Sequence, residues 1–585
     1  MNNIHIINYL KKVPELCVLP IMRNTTFFIF TFLLGLICIV SEPWNGSRFW
    51  SVFNLFSDLY IFCALLLFLP ARLRRIIRTI AIILIYTVSV IDIALFVRFG
   101  APIIPLFLQM ALQSNIHEST EAITTYLNIN MLASPLGLVI CVMIGHWLMR
   151  NYKWKELKGK VLYCSGTFVG LFFILSLIFS FDNKEYLYYR IVRMKSEIEA
   201  QTIKDMSPKT KWYVPLARLS YAIVEVVNLK STIDELHKNV NLGKIDSCKH
   251  TSPDIVLIIG ESYNRSHSGL YGYRLNTTPV QDSLKREGSL VDFTDAICSW
   301  NATCETFQNI LSMHCVGDGR EWYNTPFFTS LMRKSGYKVF FMSNQFVDNP
   351  ASSFSAFIED IFINDPLVSK VQFDYRNNDV HQYDDNLLED YDRLKKHAGK
   401  NNLWIFHFMG LHADFSERYP SNKTVFTPKD YLRKDLSADD IQLLSEYDNA
   451  VRYNDEVLGK ILNRFKDKEA IIIFFADHGE RVYDYDAEFG RSLGWSKSEV
   501  IQQFYVPMWM YATKKYSEKH SDIWKSVKKA SEKRYMTDAI GHTILYLAGA
   551  KSKLYKPEYD VLSSDYDESR KRIIRDERDF DELIR

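Results

Sequence analysis

The pattern of hydrophobic and polar positions divides the chain into two parts. Before residue 182 long apolar runs dominate, whereas after residue 250 short apolar runs alternate with helical patterns. Five runs in the first part approach the ~20 apolar residues that a helix needs to cross a bilayer. They are roughly 25–40, 53–70, 76–97, 131–149 and 161–181. Residues 1–181 are therefore predicted to form a five-helix transmembrane domain.

The distribution of Lys and Arg predicts the orientation of these helices. Three basic clusters precede the first run or fill the second and fourth connections: Lys11, Lys12 and Arg23; Arg72, Arg74, Arg75 and Arg78; and Arg150, Lys153, Lys155, Lys158 and Lys160. Because cytoplasmic connections are enriched in basic residues, all three clusters are predicted to face the cytoplasm. After five spans the rest of the chain then lies outside, in the periplasm of a bacterium. A cleaved signal peptide at the first run is the alternative, but further spans follow at once.

Two features around this region allow a functional or a structural interpretation. Asp58 and Asp92 lie within predicted spans, where carboxylates are costly and often functional, although pairing inside the helix bundle explains them equally well. Residues 182–249 are predicted to bridge the two parts of the chain. Within them, the stretch 211–230 mixes aromatic and basic residues. This composition suits a helix at the membrane surface, or a helix packed against the soluble part.

The remainder, residues 250–585, shows the alternation of an α/β domain. Candidate strands are Ile255–Ile259, Lys338–Met342, Leu403–Phe408, Ile471–Phe475 and Pro507–Tyr511, and helical stretches lie at 278–287, 325–335, 386–397 and 440–466. Such alternation predicts a central, mainly parallel sheet with helices on both faces. The functional site of this architecture lies beyond the carboxyl ends of the strands.

Composition limits the classes of function. The formal net charge is +2, from 70 basic and 68 acidic residues. A strongly basic nucleic-acid-binding protein is therefore excluded as the default interpretation. The hydrophobic content of 48% and aromatic content of 14% agree with membrane-embedded segments.

Two of the predicted strands end in residues that can bind a metal. Glu261 follows the first strand, and Asp477 and His478 follow the fourth. Two carboxylates and one imidazole suit zinc or manganese. Each residue alone has a structural alternative, since a glutamate can cap a helix and an Asp-His pair can close a turn. Their common position at strand ends predicts a metal site.

The stretch CSWNATCETFQNILSMHC, residues 298–315, offers a nucleophile to such a site. Thr303 precedes a helical segment, where backbone N–H groups help to hold an anion. A threonine hydroxyl becomes an effective nucleophile when a metal or a base lowers its pKa. Helix capping is the structural alternative for Thr303, and Thr306 is a rival nucleophile.

Four motifs together resemble the signatures of bacterial phosphoethanolamine transferases. They are IVLIIGESYNRSHSGLYGYRLNTTP (255–279), NATCETFQNILS (301–312), HFMGLHADFSERYP (407–420) and FFADHGERVYD (474–484). Members of that family are five-span enzymes of the inner membrane, with a periplasmic domain of the alkaline phosphatase and sulfatase superfamily. The resemblance implies transfer of phosphoethanolamine from phosphatidylethanolamine to an envelope glycolipid, either lipid A or the lipopolysaccharide core. Another envelope glycan is an alternative acceptor.

The resemblance also implies a metal-ligand set and a mechanism. Glu261, Thr303, Asp477 and His478 match the positions that bind one tightly held zinc ion, which is favoured over manganese. Thr303 matches the zinc-activated nucleophile, which carries the transferred group as a covalent phospho-threonine intermediate.

Further positions match residues that contact the substrates. The resemblance implies that His407 and His412 face the phosphoryl group. It also implies that Ser114 and Glu118, in the stretch LQSNIHES at 112–119, belong to the loop that receives the donor headgroup. Arg491 stands in a neighbourhood where family members often carry another histidine, which argues against a second metal. An arginine there can hold a phosphate oxygen instead.

Three alternatives share parts of this pattern. A sulfatase requires a Cys-x-Pro-x-Arg or Ser-x-Pro-x-Arg pattern, but Cys304 is followed by Glu305, Thr306, Phe307 and Gln308. A lipoteichoic-acid-type glycerophosphotransferase shares the five spans and the threonine, and differs in using a phosphatidylglycerol donor. A non-catalytic membrane protein that retained the fold is expected to have lost metal ligands, whereas all four positions are filled here.

Overall fold

The computed structural model describes residues 2–41, 48–105, 107–108, 111, 133–188, 213–346, 362–485 and 487–585. The chain forms two compact units, Met1–Lys230 and Ser231–Arg585. The first is helical and the second is an α/β unit. The finer division into residues 1–181, 182–249 and 250–585 stays a prediction.

Long helices make up the described part of the first unit. They are α1 (Asn2–Arg23), α2 (Thr25–Ser41), α3 (Arg48–Leu67), α4 (Ala71–Phe99), α5 (Pro135–Met149) and α6 (Gly159–Leu187). A further helix, α7 (Pro215–Asn239), begins in this unit and continues past its last residue, Lys230. Among the described helices, α3, α4 and α6 are long and apolar enough to cross a membrane. A fourth span is obtained if α1 and α2, which are bent by 77° at their junction, are counted as one broken span.

The prediction of five membrane spans is therefore not confirmed. Each of the five apolar runs overlaps a described helix, but α5 has only 15 residues. At a rise of 1.5 Å per residue such a helix is about 23 Å long, which is shorter than the ~30 Å hydrocarbon core.

The two aspartates that lie within predicted spans are paired inside the helical unit. Asp92 is buried, and Arg218 donates from Nε to Oδ1 at 2.9 Å and from Nη2 to Oδ2 at 2.6 Å. Asp58 accepts hydrogen bonds from Lys184 Nζ and Tyr213 Oη. Because a carboxylate within a membrane span needs a partner, these contacts support the structural interpretation of both residues.

A seven-stranded sheet forms the centre of the α/β unit. The strands of this unit are β1 (Ser247–Cys248), β2 (Asp254–Gly260), β3 (Leu290–Asp292), β4 (Ala296–Ile297), β5 (Lys338–Ser343), β6 (Tyr375–Arg376), β7 (Asn402–His407), β8 (Ala470–Ala476), β9 (Met508–Ala512), β10 (Tyr535–Met536), β11 (Ala550–Lys551), β12 (Ile573–Ile574) and β13 (Arg578–Asp579). The order in the central sheet is β3-β9-β8-β2-β7-β5-β6. All five strands predicted from the sequence are present, and each boundary lies within one residue of its prediction.

Helices connect these strands. They are α8 (Pro279–Arg286), α9 (Thr303–Leu311), α10 (Phe328–Lys334), α11 (Pro366–Gln372), α12 (Leu387–Leu394), α13 (Ala438–Phe465), α14 (Lys497–Phe504), α15 (Lys514–Lys519), α16 (Ser521–Ala530), α17 (Ile540–Ala548) and α18 (Phe580–Leu583). Ile255–Ile259 in β2 and Ile471–Phe475 in β8 have no exposed surface. Burial on both faces explains why these strands are continuous apolar runs rather than alternating ones.

The prediction of a mainly parallel sheet requires correction, because the sheet is mixed. β2 is parallel to β7 and β8, and β5 is parallel to β6 and β7. In contrast, β9 is antiparallel to both β8 and β3. The register pairs Phe475 with Met508, so β9 enters the sheet at the end where β8 leaves it. Parallel pairing would require the connection to cross to the opposite end of the sheet. Because this connection does not, β9 pairs antiparallel to β8.

Candidate metal centre and nucleophile

Parallel pairing of β2 with β8 brings three ionisable side chains together. Gly260 and Ala476 are register partners at the carboxyl ends of these strands, so the next residues, Glu261 and Asp477, are neighbours. Glu261, Asp477 and His478 have no exposed surface. We refer to these three residues as the candidate metal centre. The structure thus unites residues that lie more than 200 positions apart in the sequence.

The orientation of His478 suits a metal ligand. Its Nδ1 lies 2.9 Å from the carbonyl oxygen of Gly479, which assigns the ring proton to Nδ1. The lone pair of Nε2 then faces the carboxylates, 3.4 Å from Glu261 Oε1 and 3.4 Å from Asp477 Oδ2. A carbonyl contact of this kind fixes the tautomer of metal-binding histidines.

Gly479 allows the backbone to pass close to a neighbouring segment. A Cβ atom at this position would lie 2.2 Å from the carbonyl oxygen of Gln502. The backbone N–H of Gly479 also donates to the carbonyl of Gln503 at 2.8 Å. The glycine that follows the Asp-His pair is therefore required by close packing, which holds the turn carrying both side chains.

The electrostatics of the candidate metal centre favour a bound cation. Burial and the negative charge of Glu261 raise the pKa of Asp477 well above its ordinary value. Burial alone would raise the pKa of Glu261 too, but His478 and Arg491 lower it. Asp477 Oδ2 is buried without a hydrogen-bond partner. The two buried carboxylates repel one another, and the unpaired oxygen is a second energetic cost. A divalent ion bound between the carboxylates would remove both the repulsion and the missing interaction.

The donor set fits a divalent metal on these grounds. One ligand atom from each of the three residues lies within 4.8 Å of the others. Burial lowers the pKa of His478 to about 3, with a further contribution from Arg491. The imidazole is therefore neutral at physiological pH, as metal binding requires.

Thr303 lies beside the candidate metal centre. Its Oγ1 donates to Glu261 Oε2 at 3.0 Å and lies 3.4 Å from His478 Nε2. Thr303 is the first residue of α9 and Ala302 is the N-cap, so the helix-capping alternative does not hold. The rival nucleophile Thr306 is buried, and its Oγ1 donates to the carbonyl of Trp300 at 3.0 Å. The geometry therefore favours Thr303 over Thr306.

Arg491 places a positive charge next to these groups. Its Nη2 lies 3.4 Å from Glu261 Oε1 and 3.4 Å from Ser262 Oγ, and its Nε lies 3.5 Å from Glu480 Oε2. The side chain retains 17% of its surface. A guanidinium in this position can contact a phosphate oxygen as well as Glu261.

Sequence reasoning missed two neighbours of Glu261 and Thr303. Gln345 donates from Nε2 to Glu261 Oε2 at 3.0 Å and to the carbonyl of Phe408 at 2.7 Å. It follows β5, so the rule that sites lie beyond strand ends was a usable signal. Glu305 stands two residues after Thr303, and burial raises the pKa of its carboxyl to about 7. Nothing in the sequence motif distinguishes it from a surface glutamate.

The two histidines predicted to face the phosphoryl group have different surroundings. His407 is fully buried at the end of β7, with Nδ1 2.9 Å from Ser343 Oγ and its ring centroid 4.4 Å from that of Phe307. Burial lowers the pKa of His407 to about 3. His412 is partly exposed, and burial lowers its pKa to about 4 against the opposing charge of Glu261. Their roles stay predictions.

The residues predicted to receive the donor headgroup cannot be placed. Ser114 and Glu118 lie outside the described residues.

Known proteins with similar sequences are phosphoethanolamine transferases. Phosphoethanolamine transferase EptC of Escherichia coli K12 is 23% identical over 557 residues, which cover 94% of this chain and 92% of the relative. The Kdo(2)-lipid A phosphoethanolamine 7''-transferase of the same organism is 26% identical over 285 residues, 45% of each chain. These similarities confirm the resemblance seen in the motifs.

Solved structures support the fold of both units. The C-terminal periplasmic domain of Escherichia coli EptC, in complex with zinc, matches 59% of this chain and 96% of that one, with 26% identity and a TM-score of 0.50. The match to the integral membrane protein EptA of Neisseria meningitidis covers 94% of this chain and 97% of that one, with a TM-score of 0.58. Because the two sequences are only 17% identical, this match shows the fold alone. With its apolar helices, this chain is a membrane protein. The Sulfatase family matches residues 253–550, about half of the sequence, and the chain belongs to that family.

Proposed function

We propose that the chain transfers phosphoethanolamine from phosphatidylethanolamine to lipid A or to the lipopolysaccharide core. The observation that carries this proposal is the position of Thr303, whose Oγ1 lies 3.0 Å from Glu261 Oε2 and 3.4 Å from His478 Nε2. A hydroxyl joined to a candidate metal centre is the arrangement that covalent phosphoryl transfer requires. The relatives named as phosphoethanolamine transferases support the choice of transferred group.

The proposed ligands of one zinc ion are Glu261, Asp477, His478 and Thr303 Oγ1. When bound, zinc lowers the pKa of a ligating hydroxyl and offsets negative charge on a phosphoryl oxygen. The imidazole in the donor set favours zinc over manganese. The zinc complex of the EptC domain supports the same choice. Arg491 supplies positive charge at 3.4 Å from Glu261, so a single ion suffices in this proposal.

In the first step, Thr303 Oγ1 attacks the phosphorus of phosphatidylethanolamine. The Oγ1–P bond forms while the bond from phosphorus to the diacylglycerol oxygen breaks. Thr303 Oγ1 donates its hydrogen bond to Glu261 Oε2, which holds the hydroxyl in one rotamer. Because Thr303 begins α9, backbone N–H groups of the first turn can bind the phosphoryl oxygens.

The departing diacylglycerol oxygen needs a proton, and Thr303 Oγ1 loses one as its bond to phosphorus forms. His412 is the better placed of the two candidates to pass this proton on, because it is partly exposed whereas His407 is enclosed beside Phe307. In the second step, an acceptor oxygen loses its proton and attacks the phospho-threonine from the opposite side, and Thr303 Oγ1 departs and takes a proton back. Two in-line displacements predict net retention of configuration at phosphorus.

The cellular setting completes the proposal. The helical region anchors the enzyme in the bacterial inner membrane, and residues 250–585 form the catalytic part in the periplasm. Ser114 and Glu118 are assigned to binding the donor headgroup. Anchoring keeps the reacting groups near the donor, because this lipid remains in the bilayer and does not diffuse through water.

Trapping of the intermediate tests this function. The full-length protein in liposomes with labelled phosphatidylethanolamine should yield peptide 301–312 carrying the phosphoethanolamine mass on Thr303. The variant Thr303→Ala should carry none, and Thr306→Ala should be labelled like the wild type. Labelling from phosphatidylglycerol instead would identify the glycerophosphotransferase alternative. No labelling of zinc-loaded wild-type protein from either lipid would contradict the proposal. Mass spectrometry of envelope glycolipids from cells with and without the protein then identifies the acceptor.

A further inference from the structure

A cavity of about 1040 Å³ lies in the helical unit, between the junction of α1 with α2 and helices α4 and α5. None of its lining residues belongs to the candidate metal centre. Pockets of 300–1,000 Å³ are the usual size for drug-sized ligands, so this volume exceeds what a small anion needs.

One end of the cavity is basic. Arg23, Arg78 and Arg150 line it, and each comes from a different one of the three basic clusters. One arginine from each cluster therefore lines the same cavity, as expected if the three clusters lie on one side of the membrane. No described carboxylate lies within ion-pairing distance of these guanidinium groups, although Glu156 also lines the cavity. Arg150 stacks 4.7 Å from the ring centroid of Trp147, which holds its guanidinium in place.

The other end of the cavity is apolar and elongated. Lining residues on α4 extend from Arg78 to Ile91. Thirteen residues of helix span about 20 Å, whereas one leaflet of the hydrocarbon core is about 15 Å thick. Ile83 and Ile91 line this part and are 61% and 49% exposed, so the cavity opens sideways along the helix surface. Its length and lateral opening match an acyl chain rather than a soluble molecule.

We propose that this cavity binds an anionic phospholipid. The lipid phosphate contacts Arg23, Arg78 and Arg150, and one acyl chain lies along α4 past Ile83. Basic pockets between transmembrane helices on the cytoplasmic side are the usual binding sites for anionic headgroups. A free phosphate ion has the same charge chemistry, but it would leave the apolar end of the cavity unfilled. Neither Ser114 nor Glu118 is among its described lining residues, and the proposal does not depend on the proposed function.

The location of the arginines indicates what the lipid does. Arg23 ends α1 at the 77° junction with α2, Arg78 lies on α4, and Arg150 follows α5. A shared phosphate therefore connects three helices at one end of the unit. We expect the lipid to stabilise the packing of these helices, because it neutralises three neighbouring positive charges.

Native mass spectrometry of the full-length protein in detergent tests the site. The probe is palmitoyl-oleoyl-phosphatidylglycerol, compared with the corresponding phosphatidylethanolamine. We expect one tightly retained phosphatidylglycerol per chain, and an affinity at least tenfold lower in the double variant Arg78→Gln/Arg150→Gln. The matched control is Arg75→Gln, which removes an exposed arginine of the same basic cluster that does not line the cavity. Equal affinity in the wild type and the double variant, or equal affinity for the two lipids, would overturn the proposal.

A second variant separates a lipid from a free anion. Thr87 is exposed and lines the apolar part, so Thr87→Trp should obstruct the acyl chain without disturbing the core. We expect about tenfold weaker phosphatidylglycerol binding in this variant. Inorganic phosphate should not displace the lipid from wild-type protein at equal concentration, and displacement would show a simple anion site. If the double variant fails to fold, Thr87→Trp and the comparison of lipids on the wild type still decide the question.

Discussion

The described part of the α/β unit contains two clusters of two carboxylates and one histidine each. One is the fully buried candidate metal centre. The other, which we call the His267 cluster, consists of the buried His267 and Asp448 and of Asp484, whose side chain is 19% exposed. In the His267 cluster, Nδ1 lies 2.6 Å from Asp448 Oδ1 and Nε2 lies 3.3 Å from Asp484 Oδ1. Tyr273 and Tyr431 donate to Asp448 Oδ2 at 2.7 and 2.6 Å.

The two imidazoles are in opposite charge states. Burial alone would lower the pKa of His267, but Asp484 and Asp448 more than offset this and raise it to about 10. His267 is therefore a cation that neutralises its own neighbours. Burial lowers the pKa of His478 to about 3, so the candidate metal centre has no cation of its own beyond the adjacent Arg491. Residue composition does not distinguish a metal site from an internal ion network, whereas the direction of the imidazole and an unpaired carboxylate oxygen do.

Removing a hydroxyl beside each cluster should give the largest difference between them, measured as the loss of transfer activity. Thr303→Ala is expected to lower phosphoethanolamine transfer by three orders of magnitude or more, on the order seen when catalytic nucleophiles are removed. Tyr273→Phe removes a hydroxyl of similar type from the His267 cluster and should leave transfer within about threefold. The assay uses full-length protein in liposomes with labelled phosphatidylethanolamine. Near-normal transfer by Thr303→Ala would show that this threonine is not the nucleophile.

Metal content should separate the clusters next. Asp477→Asn removes a ligand of the candidate metal centre, and zinc should fall from about one ion per chain to less than a tenth of that. Asp448→Asn changes an equally buried aspartate and should leave the zinc content unchanged. Elemental analysis of protein purified without added metal measures both. Similar zinc in wild type and Asp477→Asn would contradict the assignment of this residue as a ligand.

For the stability of the metal-free protein, we expect Asp448→Asn to have the larger effect and Asp477→Asn the smaller one. Asp448→Asn leaves a buried His267 cation short of one partner, and a loss of about 3–5 kcal/mol in unfolding free energy is expected. Asp477→Asn removes repulsion between two buried carboxylates and should cost less than about 1 kcal/mol. Thermal unfolding of the full chain in detergent with a chelator gives the comparison. Equal destabilisation by both substitutions would mean that the two clusters do not differ in charge balance.

The sequence predicts one of these clusters and not the other for a physical reason. Glu261 and Asp477 each follow a continuous apolar strand, and parallel strands end at a common edge, so their proximity can be inferred. His267 and Asp448 are 181 residues apart, and Asp448 lies within α13, where helical periodicity does not indicate a distant partner. Gln345 also follows a strand, so its position at this edge could be inferred, but its contact with Glu261 could not, because a polar residue after a strand is common.

Strand positions were predictable and strand direction was not. Burial on both faces produces unbroken apolar runs, which mark β2, β5, β7 and β8 directly. The direction of β9 depends on the end of the sheet at which the preceding connection returns the chain to it. The apolar pattern does not indicate which end this is. The apolar run 131–149 similarly overstates the length of α5, because the run includes residues before the start of the helix at Pro135.

The pH dependence of stability provides the smallest and most specific test of the comparison. The pKa of His267 is about 10 in the folded protein, above its ordinary value of 6.5, so the stabilisation is fully present below pH 6.5. It is lost as pH rises through 10, at up to about 1.4 kcal/mol per pH unit for one proton. Between pH 7.5 and 8.5 the wild type should therefore lose about 1 kcal/mol more than His267→Gln, which keeps a hydrogen-bonding side chain beside Asp448. His478→Gln should show the wild-type slope, because a histidine with a lowered pKa is neutral in both states throughout this range. Unfolding of the full chain with a chelator at several pH values measures these slopes, and a wild-type slope equal to that of His267→Gln would show that His267 is not held as a cation.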